Sequence, residues 1–571
     1  MRGVASLGLL VVLSVVLSAA QSPNTNAQAN AKPDTGTPVF KAAARVVVVD
    51  VVALDDDWRP VLGLKPEDFT LEDNGTRQSI QHFEAAVVPS RAQKIPEFKL
   101  PEHQYTNFPV QEQGRAVNVV LLDLLNTTPQ QQVYARVQML KFLRTLPKGQ
   151  RTALFVLGSQ LRMLQGFTGN SESLLAASEK VLHEKSIYLV SERDVQTDRD
   201  LNAYIAGASR AGGSSASSEN VARALSSALQ AQIDYRGEAR AASTLRALQG
   251  LARSLKGYAG RKNLLWLSTN FPFRLGPVPE TEKVRDFRRT IEETSNMLAA
   301  AQIAVYPIDV EGLSSSGMDV AGTTSNMSSA ELTGYQMVMA NRQSGLRWET
   351  HSTMAEIAEQ TGGQAFWGTN DIEHALSRSM ERGSTFYTLA YSPAGTKWDG
   401  KYRKINLKVN RPGIKLFYRR GYYAFPDEEV KGDLAAKMLA AALQPTTPES
   451  TMLLMRVQVL PPDASSKNVR IDYAVAPGDV VFADTDDGKK RVVLDFMATA
   501  IDDSGRDAAQ VANTLQGNLP METYRTMLQS GIPAHQELEL KPGKYRLRLG
   551  IIDRATNKVG TLDVPLTVAN N

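Results

Sequence analysis

Between Ala116 and Met380, short unbroken apolar runs alternate with longer stretches in which apolar residues recur at helical spacing. The runs Val117–Asp123, Thr152–Leu157, Asn263–Ser268 and Ile303–Asp309 show little internal alternation, the mark of strands buried on both faces. Leu161–Phe167 reads as a further short strand. Gln130–Leu146, Ser171–Leu182, Val221–Leu255, Thr281–Ala301, Thr353–Gln360 and Asp371–Met380 read as helices. Ser171 suits an N-cap and Gly362-Gly363 a helix stop. This alternation predicts an α/β domain over 116–383, with a mostly parallel, Rossmann-like sheet and helices on both faces. Polar stretches near 192–220 and 312–345 read as insertions in it.

The flanks are β. Arg45–Leu54, Phe69–Glu72 and Gln78–Phe83 read as strands, the last two split by the hairpin signal Asn74-Gly75. They form a β unit over 38–88, and 89–115 reads as a linker. Phe386–Tyr391, Tyr402–Val409 and Ile414–Tyr418 lie in a second β stretch over 384–425. Pairing of the two stretches would make the α/β domain an insertion in one β-sandwich. A connecting segment covers 426–451. Six further strands, Met452–Leu460, Val469–Val475, Arg491–Ile501, Glu537–Leu540, Tyr545–Ile551 and Thr561–Val568, predict a separate C-terminal β-sandwich over 452–571.

Composition and the N-terminus narrow the class. A chain of 571 residues needs several cores. The apolar run Val4–Val16 after Arg2, with small residues at Ser18 and Ala20, reads as a signal peptide over 1–20. Residues 21–37 read as a disordered leader. The expectation is export, to the periplasm or the outer envelope, with no integral membrane span after cleavage. The absence of cysteine excludes disulfides, thiolate metal sites and a cysteine nucleophile. The net charge of +4 is spread among interspersed acids and bases, which argues against a nucleic-acid partner.

Candidate chemistry is sparse. Asp123 ends its apolar run and is followed by Asn126, Thr127 and Thr128. In open α/β sheets, ligands bind beyond the carboxyl ends of the strands. Hard oxygen ligands there suit Mg²⁺ or another divalent cation. The six histidines show no metal spacing and read as surface or core-edge residues. No P-loop, dinucleotide fingerprint or nucleophile elbow is present. Asp484-Thr-Asp-Asp-Gly488 lacks the glutamate of a calcium loop and reads as a hairpin turn.

Asp123-x-Leu-Asn-Thr127, Arg151–Gly158, Gly260–Ser268, Ala304–Asp309, Thr361-Gly-Gly, Tyr387–Pro393 and Arg419–Tyr422 occur in order. Together they resemble the VWFA-related family first catalogued in acidobacteria, exported proteins with a von Willebrand factor type A (VWA) domain. The resemblance covers roughly Val39 to Phe425. It implies protein binding or adhesion rather than enzymatic activity, through a metal-ion-dependent adhesion site of pattern Asp-x-Ser-x-Ser. Here Leu125 replaces the first serine, Thr127 stands for the second, and Asn126 adds an amide oxygen. Thr244 is the candidate for the second loop. Ser268 opens a third loop, Ser268-Thr269-Asn270, that lacks the usual aspartate. The candidate metal ligands are thus Asp123, Asn126, Thr127, Thr244 and Ser268. One carboxylate should hold a cation weakly. Two readings stay open: a degenerate metal site completed by a partner's acid, or a carboxylate that caps the next helix and bonds the Ser268–Asn270 loop. The protein partner is not specified. A structural role in a cell-envelope assembly is the alternative function, and a hydrolase the least supported.

Overall fold

The computed structural model describes residues 46–85, 100–108, 116–127, 129–146, 150–183, 237–271, 288–311, 348, 350–393, 395–426, 432–444, 447–463 and 466–569. The expected signal peptide, the leader and most of both expected insertions lie outside these residues.

The first body is a β-sandwich made from both ends of the family-like region. One sheet joins β1 (Val47–Leu54), β4 (His82–Glu84), β11 (Tyr387–Tyr391) and β13 (Lys415–Phe417) in the order β13-β1-β11-β4. The other joins β2 (Phe69–Asp73), β3 (Thr76–Gln78), β12 (Tyr402–Val409) and β14 (Gly421–Tyr423) in the order β14-β12-β2-β3. Strand β1 runs antiparallel to β11, with Val49 opposite Leu389. Val49, Val51, Leu71, Leu389, Ile405 and Leu407 fill the space between the sheets. The α/β domain therefore sits between β4 and β11 in sequence.

That domain is built on β6 (Val117–Asp123), β7 (Thr152–Leu157), β8 (Leu161–Thr168), β9 (Lys262–Ser268) and β10 (Ile303–Asp309), in the order β10-β9-β6-β7-β8. The pairs β10–β9, β9–β6 and β6–β7 are parallel, and β8 closes one edge antiparallel. Alternate residues feed two cores. Val119, Leu121, Leu264 and Trp266 pack on helices at 237–255, 288–300 and 350–361. Val120, Leu122, Leu265 and Leu267 face the opposite core, with helices Pro129–Thr145 and Ile372–Ser384. Asp371 caps the latter helix, accepting from the His374 amide. Gly362 takes φ +78° just past the helix at 350–361, the left-handed stop that glycine supplies. At Gly363 a Cβ would lie 1.9 Å from the Val305 carbonyl oxygen, so only glycine lets this segment lie against β10.

The C-terminal sandwich differs from the expectation in three ways. Its first sheet, β20-β16-β15-β5, joins β20 (Ile532–Leu538), β16 (Val469–Val475), β15 (Met455–Leu460) and β5 (Gln104–Thr106). Strand β5 comes from 89–115, read as linker. It was missed because three residues between turn-forming neighbours leave no period to read. The second sheet contains β17 (Ala483–Asp484), β18 (Lys490–Asp502), β21 (Gly543–Asp553) and β22 (Val559–Val568), and β19 (Asp507–Leu519) pairs with β18. The polar strand β19 and helix Met521–Ser530 were not expected. The connecting segment carries helix Gly432–Ala442. The Asp484–Gly488 stretch is the turn between β17 and β18.

Two polar junctions join these bodies. Asn107, just after β5, donates to the Ser450 and Leu453 carbonyls and accepts from the Met455 amide. Thr451 accepts from the Gly257 amide and donates to the Ser254 carbonyl, linking the sandwich to the α/β domain. The second junction is buried below β9. Asp50 of β1 accepts from Gln302 and Thr388. Burial raises its carboxyl pKa, against the pull of Arg261, Thr388, Gln302 and Lys262. Lys262 is buried and its Nζ has no hydrogen-bond partner. Burial drops its ammonium from 10.5 to about 7, with Asp50 opposing.

Two outcomes follow. Truncating Asn107→Ala orphans two carbonyls and an amide and should cost about 1–3 kcal/mol. The midpoint of urea unfolding reports it. A lysine with a lowered folded pKa contributes stability that is full above the unfolded value and lost as pH falls through the folded one. Lys262→Met should therefore raise the unfolding midpoint near neutral pH and flatten its rise between about 7 and 10.5. An unchanged pH profile would exclude the buried ammonium as its source.

Candidate functional site

The strand order reverses beside β6: the chain first adds β7 and β8 on one side, then β9 and β10 on the other. The crevice at such a switch point is where doubly wound sheets bind ligands. Asp123 ends β6 and Ser268 ends the neighbouring β9. The site the sequence singled out is thus at the place the topology favours.

Asp123 is fully buried. Leaving its carboxylate unsatisfied would cost several kcal/mol, so donors must be supplied. Four groups supply them. The Asn126 amide N–H meets Oδ1 at 2.9 Å. Asn126 Nδ2 at 2.8 Å, Trp266 Nε1 at 2.9 Å and Ser268 Oγ at 3.2 Å surround Oδ2. Burial raises the Asp123 pKa, and the bonds from Asn126, Trp266 and Ser268 pull it back. The network spreads outward. Asn126 Nδ2 also donates to Thr244 Oγ1 at 2.9 Å, and that hydroxyl donates to the Arg240 carbonyl. Ser268 Oγ lies 2.9 Å from the Asn270 carbonyl oxygen. Thr269 donates to the Asn126 carbonyl. Gln132, on the next helix, holds the Leu124 and Thr127 carbonyls.

Asp123, Asn126, Thr244 and Ser268 are therefore brought together by hydrogen bonds. Asn126 presents its amide nitrogen, not its oxygen, to Asp123. Its Oδ1 and Thr127 Oγ1 are buried without partners. A cation needs ligand lone pairs, whereas the carboxylate here faces N–H groups on both oxygens. Oδ2, already met by Asn126 Nδ2, Trp266 Nε1 and Ser268 Oγ, has no lone pair to offer a divalent cation.

Trp266 was read only as part of a strand. Its signal was present: Leu121 pairs with Trp266, so Asp123 stands two residues further along the same face. The indole reaches up that face to the carboxylate. A second pair also went unread. Asp309 ends β10 beside Ser268. Its Oδ1 accepts from the Glu311 amide, and its Oδ2 lies 3.0 Å from His351 Nε2. The His351 ring stacks on Trp367 at 5.1 Å, and Trp367 is 42% exposed. Nothing in the local sequence joins Asp309 to His351, since 42 positions separate them.

Comparison with known proteins adds little. No protein-family model matches the chain. No curated protein matches it. Among solved structures, an aerotolerance-related membrane protein from Bacteroides fragilis is 11% identical, over 47% of this chain and 99% of its own, with a TM-score of 0.22. The ArnB paralog VWA2 from Sulfolobus acidocaldarius is 7% identical, over 92% and 76%, with a TM-score of 0.20. A von Willebrand factor type A structure from Catenulispora acidiphila is 10% identical, over 71% and 82%, with a TM-score of 0.19. VWA proteins are thus among the neighbours, at identities and scores too low to carry any conclusion about activity or partner.

Removing the indole donor tests the network. Trp266→Phe should destabilise the fold by about 1–3 kcal/mol from the unmet carboxylate alone, with a further loss from the reduced volume. The carboxylate part is needed by the ionised form only. The loss should therefore be larger at neutral pH than in mild acid, where the raised pKa of Asp123 favours its protonated form. Urea midpoints at the two pH values report the difference, and equal losses would mean that only packing was removed.

Proposed function

We propose that this chain is an exported VWA-type binding protein. It engages a protein partner with the loops at the carboxyl ends of β6, β9 and β10, and its central carboxylate organises those loops by hydrogen bonds in place of a cation. The observation that carries this reading is the donor set around Asp123: the Asn126 amide and side chain, the Trp266 indole and the Ser268 hydroxyl. The parallel sheet with one antiparallel edge, and the switch point beside β6, support the VWA-type fold.

Binding is favoured over catalysis by what the polar groups already do. The Ser268 hydroxyl meets Asp123 and the Asn270 carbonyl. His351 Nε2 meets Asp309 and its ring meets Trp367. Among the described residues no group of three or more His, Cys, Asp or Glu is placed to hold a metal ion. Also among them, no helix is long and apolar enough to cross a membrane. Trp367 is a large exposed aromatic stacked on His351, the type of side chain that anchors protein interfaces.

Two measurements test the proposal. Calorimetric titration of Mg²⁺ and of Mn²⁺ should give no saturable heat with either the native chain or Asp123→Ala. A saturable heat in the native chain that Asp123→Ala abolishes would restore a metal-dependent site. Trp367→Ala should weaken retention of partners from envelope extracts by tenfold or more, the scale of an interface anchor worth over ~1.4 kcal/mol. Undiminished retention would place the binding face elsewhere.

A further inference from the structure

The end of β10 holds a second buried acid, outside the network around Asp123. Asp309 accepts from the Glu311 amide at Oδ1, which leaves Oδ2 facing His351 Nε2 at 3.0 Å. The imidazole in turn lies nearly parallel to the Trp367 indole, with 5.1 Å between centroids and 15° between planes. Acid, imidazole and indole come from β10, the helix at 350–361 and the stretch that follows that helix. Backbone bonds hold the stretch only as far as Phe366, whose amide and carbonyl meet Pro307 and Asp309. Beyond it the exposed indole of Trp367 rests on the His351 ring.

Few charges face that imidazole. From β10 comes the Asp309 carboxylate, with Glu311 two residues on. From the stretch after the helix comes neutral Trp367, and Arg378 lies over the neighbouring Phe366 ring at 5.6 Å. On its own helix the next acid is Glu356. His374 is held by Asp371. The His351 side chain is 25% exposed and that of Asp309 only 5%, so protons reach the ring while water screens the pair little. A neutral imidazole donates to Asp309 in one of its two tautomers, whereas the imidazolium donates from both nitrogens. The charged bond is roughly twice as strong as the neutral one. A positive ring is also drawn to the face of an indole.

We infer that Asp309 and His351 form a proton-sensitive clamp on Trp367, which holds the exposed indole closer in mild acid than at neutral pH and so regulates the binding rim. The consequence for binding rests on the function proposed above; the clamp itself is testable without a partner. Hydroxyl-radical footprinting of the full chain, read by mass spectrometry, compares oxidation of Trp367 with that of Trp58, a partly exposed tryptophan of the first β-sandwich. In the native chain the ratio should fall at least twofold between about pH 8 and pH 5, the range in which histidine changes charge. His351→Gln keeps a neutral donor toward Asp309 and should show one ratio at both pH values. Asp309→Asn should lose most of the fall by removing the acid. Far-UV circular dichroism reports that each variant keeps its fold. An unchanged native ratio, or a fall that survives in either variant, would overturn the clamp. Retention of envelope partners by the native chain should rise at least threefold over the same pH range, and not in His351→Gln. A responsive clamp with retention indifferent to Trp367→Ala would instead overturn the proposed function and leave the clamp standing.

Discussion

A carboxylate with no exposure to solvent dictates how the carboxyl end of the central sheet is built. Asp123 cannot be hydrated, so the protein must supply its shell. The donors come from the loop after β6 and from β9. Asn126 then extends the set to Thr244 on the helix at 237–255. One charge thereby fixes the relative positions of three segments that are distant in sequence. A metal ion would organise the same segments by demanding oxygen lone pairs. The indole of Trp266 does the opposite, donating a proton to Oδ2. The two solutions exclude each other at the same carboxylate oxygen, which makes the identity of residue 266 as decisive as that of residue 123.

The placement of the α/β domain inside a sandwich imposes a second constraint. Its entry and exit must return to strands that already pair, β4 and β11. The chain does not go directly from β4 to β6. It first crosses to the C-terminal sandwich, where β5 pairs with β15 and Asn107 locks the crossing. The later sandwich therefore depends on a strand supplied by the earlier part of the chain. On the other side, Asp50, Arg261 and Lys262 are buried where β1 meets the base of β9. Burial opposes the charge on both Asp50 and Lys262, and Gln302 and Thr388 supply hydrogen bonds to the Asp50 carboxyl.

How far the sequence could be read follows from the range of each interaction. Strands buried on both faces, such as β6 and β9, declare themselves by unbroken apolar runs, and their helices by spacing. Asp123 was legible because a lone acid ends such a run. Its partner Trp266 was hidden in a run whose other residues serve the core, and only the register of β9 against β6 reveals its second task. Strand β19 escaped because a polar edge strand, exposed on much of its length, has too few apolar positions to show a period of two. Strand β5 escaped because its pairing partner lies hundreds of residues away. His351 and Asp309 illustrate the same limit: neither carries a local pattern, and 42 positions separate them.

The carboxyl end of the central sheet and strand β19 treat their polar groups in opposite ways. At the carboxyl ends of β6, β9 and β10, polar groups are spent on one another, leaving exposed Trp367 at the rim. Polar groups paired in this way are pre-organised, so their order costs nothing further. At β19 the backbone itself is the unspent group: one side pairs with β18, and among the described residues no strand pairs the other.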